Sequence, residues 1–501
     1  MQQLNKQVAE HHDTFLEAYP EKIVQFGEGN FLRGFIDWMI HELNKQGLFQ
    51  GRIAAIQPTP HGKVVPKLNQ QNGLYTLVLR GVEDHKEVFR REIISAISRG
   101  INPYNHWEEV LDLAENPSIQ FVFSNTTEAG LQYTKEPFTK GEAPLSYPGK
   151  LTAFLYHRYQ VTDGARDAGL TIIPCELVND NATILKQAVL KYSNDWELPA
   201  EFIDWLETCN DFCHTLVDRI VPGYPKDEAD QMEKDMGYHD ALLTVGEPYH
   251  LFAIEANDRI AQSLPFQKAG LNVHWADVTP FRHLKVRILN GAHTLMYAAA
   301  YQAGKDTVLE AMEDTNLNAF IKAGIYENIL PVLNMNDHEK YAFADATVQR
   351  FHNPYNRHYL LDIGLHGVSK YKTRLLPTIQ TWIQDHNQLP KTICFSLASI
   401  ITLYRSNQIE DHHLIGRRDD GASYTIRDNA STLNFFKEVW QDYQFGTKDI
   451  SDVVNAVLAN EELWDMNLTT IDGLPRAVSE YVQSILENGM VKAIHQFLNP
   501  Q

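Results

Sequence analysis

Lys285, Asn290 and His293 lie in one run of nine residues, Lys285-Val-Arg-Ile-Leu-Asn290-Gly-Ala-His293. Each residue type brings a different capability. A lysine that loses its charge in a closed pocket exchanges protons near neutral pH, an asparagine NH2 holds a developing alkoxide, and a histidine orients a hydroxyl. Together they are the parts needed to interconvert an alcohol and a ketone without a metal. The same trio also describes a helix N-terminus with one solvated lysine and a satisfied core asparagine and histidine. The elements around the trio have to separate those readings.

Pro280 precedes a helical pattern over His283–Ala303, which Gly304 closes. In a regular α-helix Lys285 and His293 would lie about 12 Å apart along the axis and about 80° apart around it. For the trio to converge, Lys285 must therefore sit at an irregular helix start. Nearly every later segment reads as helical, and the polar stretch Gly416–Ser431 reads as a surface loop. Before Asp277 the character differs. Lys22–Phe26 reads as a short buried strand, followed by a Gly27-Glu28-Gly29 turn and an amphipathic helix to about Asn44, which is a nucleotide-binding opening. The first glycine permits the tight turn, and the second lets backbone amides approach a pyrophosphate. Arg33, one turn into that helix, could touch a phosphate or pair with Asp37. Further strands are expected at Arg52–Ile56, Leu74–Arg80, Val88–Ile97, Gln120–Ser124, Leu170–Pro174, Val217–Val221 and His250–Ile254, with helices between several of them. The expected fold is therefore α/β: a Rossmann-like dinucleotide-binding domain over residues 1–276, then a mainly α-helical substrate and catalytic domain over 277–501. The Lys285 helix falls at the seam, where ligand pockets are favoured.

At the end of Arg52–Ile56 an NAD-binding unit usually presents an acid to the ribose, but here Gln57-Pro58 follows. Gln57 could still bind a ribose hydroxyl, while Lys63 leaves a 2′-phosphate open; NAD is the preferred cofactor. Ser124-Asn125-Thr126 follows a buried strand and reads either as a ribose contact or as a plain polar turn.

Composition narrows the partners. A net charge of −20 argues against nucleic acid, and an anionic substrate would need a locally basic pocket. Ser369-Lys370-Tyr-Lys372-Thr-Arg374 offers one, with Lys370 and Arg374 one helical turn apart. No run of about eighteen apolar residues offers a membrane span, and the first residues lack a signal pattern, so a cytoplasmic protein is expected. The four cysteines are too few for a disulfide framework, and the Cys209, Cys213 and His214 spacing matches no common zinc pattern; no metal is expected.

The assembled motifs resemble the polyol-specific long-chain dehydrogenase family, also called the mannitol dehydrogenase family. Those that carry the likeness are Gly27-x-Gly29-x3-Arg33, Thr-Leu-Val-Asp218-Arg219-Ile, Lys285-x4-Asn290-x2-His293 and Arg350-Phe-x-Asn353-Pro, spread nearly end to end. Within the family, Phe26-Gly-Glu-Gly-Asn-Phe-Leu-Arg33, Phe123-Ser-Asn-Thr-Thr-Glu-Ala-Gly130, Pro174-Cys-Glu-Leu and Val221-Pro-Gly-Tyr-Pro225 most resemble the branch that interconverts D-altronate and D-tagaturonate with NAD(H). The branches acting on fructuronate or mannitol are the alternatives, and a non-catalytic sugar-acid sensor is a remote one. The resemblance implies Lys285 as acid/base, Asn290 as alkoxide stabiliser and His293 as orienting residue. It implies Phe26, Gly27, Gly29, Asn30, Phe31, Arg33, Gln57, Ser124, Asn125 and Thr126 around the cofactor. Asp218 and Lys370 are implied near the substrate, with Arg374 beside them. A second family asparagine meets Leu177, so its role passes to Asn179 or Asn181 or is lost. The family's arginine eight residues before the substrate lysine meets Asp362, and a glutamate before the catalytic lysine meets Arg282. Those departures fit a substrate that is not a neutral polyol.

Overall fold

The computed structural model describes residues 1–12, 14–83 and 85–500, which form two compact units, Met1–Thr279 and Pro280–Gln501.

The first unit is built on six parallel strands: β1 (Glu21–Phe26), β2 (Arg52–Ile56), β3 (Ile97–Ile101), β4 (Phe121–Ser124), β5 (Thr171–Pro174) and β6 (Asp211–Phe212). Their order across the sheet is β3-β2-β1-β4-β5-β6, all parallel. This is the doubly wound order whose switch point lies between β1 and β4. Strands buried on both faces explain the unbroken apolar runs. Ile23, Ile53 and Ala55 join the core on one face, while Val24, Phe26, Ala54 and Ile56 join the core on the other. Helix α1 (Ile36–Lys45) covers the first face with Ile36, Met39, Ile40 and Leu43; α2 (Tyr147–Val161) covers the second with Leu151, Phe154 and Leu155.

The single strand expected over Val88–Ile97 is two strands. Lys86–Ile94 pairs antiparallel with Tyr75–Glu83, and after Ser95-Ala96 the chain enters the main sheet as β3. The Ser95 amide donates to His41 Nδ1 at 3.2 Å, which anchors the break. The apolar run from Ile93 to Ile97 hides that change of sheet, because both pieces are buried.

The second unit is helical around α4 (Gly291–Gln302), whose residues Gly291 through Tyr301 are all buried. A helix apolar on every side is a core helix. Ser396 Oγ donates to the Leu295 carbonyl at 3.0 Å and Gln302 Nε2 to the Ser399 carbonyl at 2.8 Å, tying α4 to the neighbouring helix Lys391–Leu403. The helix leading into the Lys285–His293 run begins at Val278, earlier than the pattern indicated, with Asp277 Oδ1 accepting from the Thr279 amide at 2.8 Å. Gly416–Ser431 is not simply a loop. His413–Arg417 and Ser423–Ile426 form an antiparallel pair extended by Ile409–Glu410. Tyr424 and Ile426 point inward, and Tyr424 OH donates to the Leu403 carbonyl at 2.8 Å. Among the described residues no helix is long and apolar enough to cross a membrane.

Candidate active site

The chain leaves β1 through Gly27, whose φ of +128° is a backbone state that side-chain-bearing residues rarely adopt. A Cβ there would stand 3.0 Å from Leu32 and 3.2 Å from the Asn125 carbonyl. Gly29 differs: its backbone is ordinary, and nothing lies within 4 Å of where a Cβ would go. Open space over exposed backbone amides suits a pyrophosphate.

The side chains around this turn are occupied with building it. Arg33 is buried, donating through Nη1 to the Glu28 carbonyl, through Nη2 to Asn30 Oδ1 at 2.6 Å and through Nε to Thr244 Oγ1 at 3.1 Å. It braces the turn, and its hydrogen bonds to described residues include none to Asp37. The Phe26 ring is core, 5.0 Å from Tyr147, so its backbone alone faces the turn. Phe31 is half-buried and stacks on Phe35 at 4.9 Å. Gln57 is also buried, donating to the Thr59 carbonyl at 2.7 Å with Gly62 packed against it, while Lys63 is exposed. Ser124 Oγ, the Thr126 amide and Thr126 Oγ1 all donate to Glu176, and Asn125 Nδ2 donates to the Cys175 carbonyl at 2.7 Å. Glu176 is thus the hub of this loop, a role that sequence reasoning missed. Asn181 is likewise a scaffold residue: its amide NH2 donates to the Pro174 and Glu176 carbonyls at 3.2 Å and to Thr215 Oγ1 at 2.9 Å. An amide held by that many bonds has none left for an alkoxide. Asp218 ends the strand Thr215–Asp218 and is buried, and the next residue, Arg219, donates to the Glu247 and Gly34 carbonyls at 2.8 Å.

Two buried carboxyls lie in or near the turn. Glu28, between the glycines, is pushed up to about 7 by burial. Asp37 on α1, beside Gln25 and Arg33, is pushed up to about 8 by burial. Neither Asp37 oxygen nor Gln25 Oε1 makes a hydrogen bond to a described residue, although Gln25 lies close enough to Asp37 to pull its pKa down against the effect of burial, and Gln25 Nε2 donates to the Gly27 carbonyl at 3.0 Å. A protonated Asp37 supplies the missing donor to Gln25.

In the second unit the Lys285–His293 run winds in a way its sequence does not announce. Helix α3 (Val278–Leu284) passes into a π-helical turn over Lys285–Asn290 and then into α4. A π turn bonds i to i+5, so Lys285 and Asn290, five apart, stand one above the other; regular α winding would set them about 140° apart around the axis. Asn290 and His293 are then i and i+3 neighbours on the α4 side. The irregularity lies inside a continuous helix, not at its start, and Arg287 anchors it by donating to Thr378 Oγ1 at 2.7 Å.

Lys285 and Asn290 are half-buried and His293 is 8% exposed. The Asn290 carbonyl accepts from Thr294 Oγ1 at 3.0 Å and from Arg374 Nη1 at 3.4 Å, but its side-chain amide bonds to no described residue. The His293 ring lies 4.7 Å from Phe351 and 4.7 Å from His358, and its nitrogens make no hydrogen bond to a described residue. Burial, then the charges of His358, Arg350, Arg374 and Lys370, hold its pKa far below the usual imidazole value, so the ring is neutral. Lys370 and Arg374 share the helix α5 (Gly367–Arg374). Lys370 Nζ donates to the Ile363 carbonyl at 2.8 Å, and its pKa is lowered by burial and by Arg374. Lys372 instead pairs with Asp465 at 2.9 Å on the surface. Asp362 is paired with Arg427 at 2.6 Å. His358 and Arg350 complete the surroundings of His293; Arg350 lay in a motif already recognised, whereas His358 carried no sequence signal.

Residues 21–268 match the mannitol dehydrogenase Rossmann domain and residues 277–486 the mannitol dehydrogenase C-terminal domain. The chain belongs to the mannitol dehydrogenase family. Members similar to it over nearly the whole length include the altronate oxidoreductase of Halalkalibacterium halodurans, 49% identical over 96% of this chain and 94% of that protein. That of Bacillus subtilis is 42% identical over 99% and 98%. Among solved structures, Pseudomonas fluorescens mannitol 2-dehydrogenase in ternary complex with NAD and D-mannitol matches with a TM-score of 0.68 at 22% identity, covering all of both chains. The family's two-part fold, a Rossmann-type domain followed by a helical domain, is the one described above.

Proposed function

We propose that this chain is an altronate oxidoreductase of hexuronate breakdown, interconverting D-altronate and D-tagaturonate with NAD(H). The observation that carries this reading is its 49% and 42% identity, over nearly full length, to two relatives bearing that name. The first unit is assigned the cofactor and the second the acid/base and sugar-acid residues. The doubly wound strand order, the φ of Gly27 and the open space over Gly29 fit a dinucleotide, which approaches the backbone of residues 27–31 and the end of β4. When bound, NAD accepts a hydride and NADH returns it.

Lys285, neutral in the oxidation direction, takes the hydroxyl proton, and protonated it gives that proton back during reduction. Asn290, whose side-chain amide bonds to no described residue, donates to the oxygen as negative charge develops. His293, held neutral, fixes a hydroxyl. The cations Lys370 and Arg374 hold the substrate carboxylate, which a chain of net charge −20 otherwise repels. The reaction is assigned to the cytoplasm.

The test is NADH oxidation by the purified protein with tagaturonate, fructuronate and fructose. Tagaturonate is expected to give the highest kcat/KM; a higher value with fructuronate or fructose replaces the substrate assignment. NADPH in place of NADH is expected to lower kcat/KM, since no cluster of cations follows Ile56. The reverse preference overturns the cofactor assignment and points to Lys63.

A further inference from the structure

His358 lies in the segment between the helix Asp337–Phe351 and α5, and its ring meets that of His293 edge-on, with centroids 4.7 Å apart and planes at 73°. Neither imidazole makes a side-chain hydrogen bond to any described residue, although His293 is more than nine-tenths buried. The backbone of His358 is held at both groups, its amide donating to the Asn356 carbonyl at 2.9 Å and its carbonyl accepting from the Val308 amide at 3.0 Å, and its ring packs edge-on against His293. A buried polar group left unpaired costs about 1–3 kcal/mol. A buried imidazole and a half-buried one side by side, neither bonded through its ring to a described residue, mark a place where a ligand supplies the partners.

We propose that His358 is a second substrate-reading imidazole, hydrogen-bonding a hydroxyl of the sugar acid neighbouring the one held by His293. Deepening the altronate reading and resting on it, this names a specificity residue for that same site. Burial lowers the pKa of His358, and Lys370 lowers it further against the opposing pull of Asp362. A neutral imidazole carries one donor and one acceptor, which suits a hydroxyl, since a hydroxyl also does both. A carboxylate wants donors only. Lys370 and Arg374 supply those, so the two histidines and the two cations divide the substrate between its hydroxyls and its acid end.

The experiment compares wild type with His358→Phe, which keeps a ring but removes both nitrogens, and His358→Asn, which restores a donor and an acceptor. Steady-state kinetics with tagaturonate and fluorescence titration with NADH are measured on each. His358→Phe is expected to raise the KM for tagaturonate about 10–100-fold, the loss of one well-made hydrogen bond, with NADH affinity unchanged. His358→Asn is expected to recover part of that loss. A packing role would instead lower thermal stability and leave KM unmoved. Tagaturonate turnover by wild type and by folded His358→Phe with equal KM overturns the role of His358 alone. Absence of tagaturonate turnover in the wild type overturns the altronate reading beneath it. Should His358→Phe not fold, His358→Met serves in the same comparison, and an unchanged KM again overturns the proposal.

Discussion

The glycine turn of the first unit and the Lys285–His293 run of the second treat their polar side chains in opposite ways. Around the turn Arg33, Asn125, Thr126 and Asn181 all bond to protein atoms, and the open space lies over Gly29, which has no side chain. In the second unit the Asn290 amide and the His293 and His358 rings make no side-chain hydrogen bond to any described residue, and the cations Arg350, Arg374 and Lys370 act on His293. The difference follows from what each presents. A dinucleotide pyrophosphate is met by backbone amides, so side chains are free to build the shape that aims them. Hydroxyl recognition needs side chains, and those left without a protein partner carry a cost in stability.

Substitutions in the two regions should therefore separate chemistry from architecture. The largest effect is expected for Lys285→Ala, with kcat reduced by roughly 10²–10⁴ and NADH affinity intact, because general acid/base help has that size. Near-normal turnover in single-turnover assays would remove Lys285 from the mechanism. Next come Lys370→Met and Arg374→Met, at least one of which should weaken sugar-acid binding by about 2–5 kcal/mol if the carboxylate is held in a buried, hydrogen-bonded charge pair. Calorimetric titrations unchanged in both would send the carboxylate elsewhere.

Within the turn the two glycines should part company. Gly27→Ala is expected to cost about 1–3 kcal/mol of stability, through its φ of +128° and the contact with Leu32. Gly29→Ala should unfold like wild type yet bind NADH more weakly, as its new methyl occupies the open space. Equal behaviour of the two in denaturation and in titration would erase the distinction.

The smallest effect concerns Asp37. The unfolded chain gives up this proton near the ordinary 3.8, whereas the folded protein keeps it to about 8. Its contribution to stability is therefore full below about pH 4 and drains away as pH rises to about 8. Glu28, at about 7, adds a slope of the same sign, and Arg33 and Tyr75 are the other titratable groups facing Asp37. Asp37→Asn keeps a donor for Gln25 but no proton to lose. It should flatten the slope and be more stable than wild type at pH 8 by about 1–3 kcal/mol. Parallel slopes of urea midpoint against pH for the two proteins would dismiss the protonated pair.

Much of this molecule is written locally. Ile23–Phe26 and Arg52–Ile56 are apolar runs bounded by turn residues, and the Gly27-Glu28-Gly29 turn follows the first of them, so strand, turn and helix are readable from neighbours alone. The change from alternating elements to helices near residue 277 is equally a matter of pattern, as is the trio Lys285, Asn290 and His293. Composition likewise announces that any anionic substrate needs its own cations.

What no local pattern held was set by contacts between distant residues. Whether Ile97–Ile101 continued the preceding strand or crossed to the main sheet depended on pairing with β2, and Ser423–Ile426 is too short a run for its alternation to stand out until Tyr424 finds the Leu403 carbonyl. The π turn that brings Lys285 and Asn290 to one face costs hydrogen-bond geometry and persists only where surrounding helices pack on it; those helices include Asp337–Phe351 and Gly367–Arg374, far along the chain. Arg33, Asn181 and Gln57 have side chains that could equally reach a ligand or a backbone carbonyl, and only the packed interior assigned them to the carbonyl. His358 met His293 in the same way, for a single imidazole carries no periodicity, and the role proposed for it depends on the buried ring that folding sets beside it.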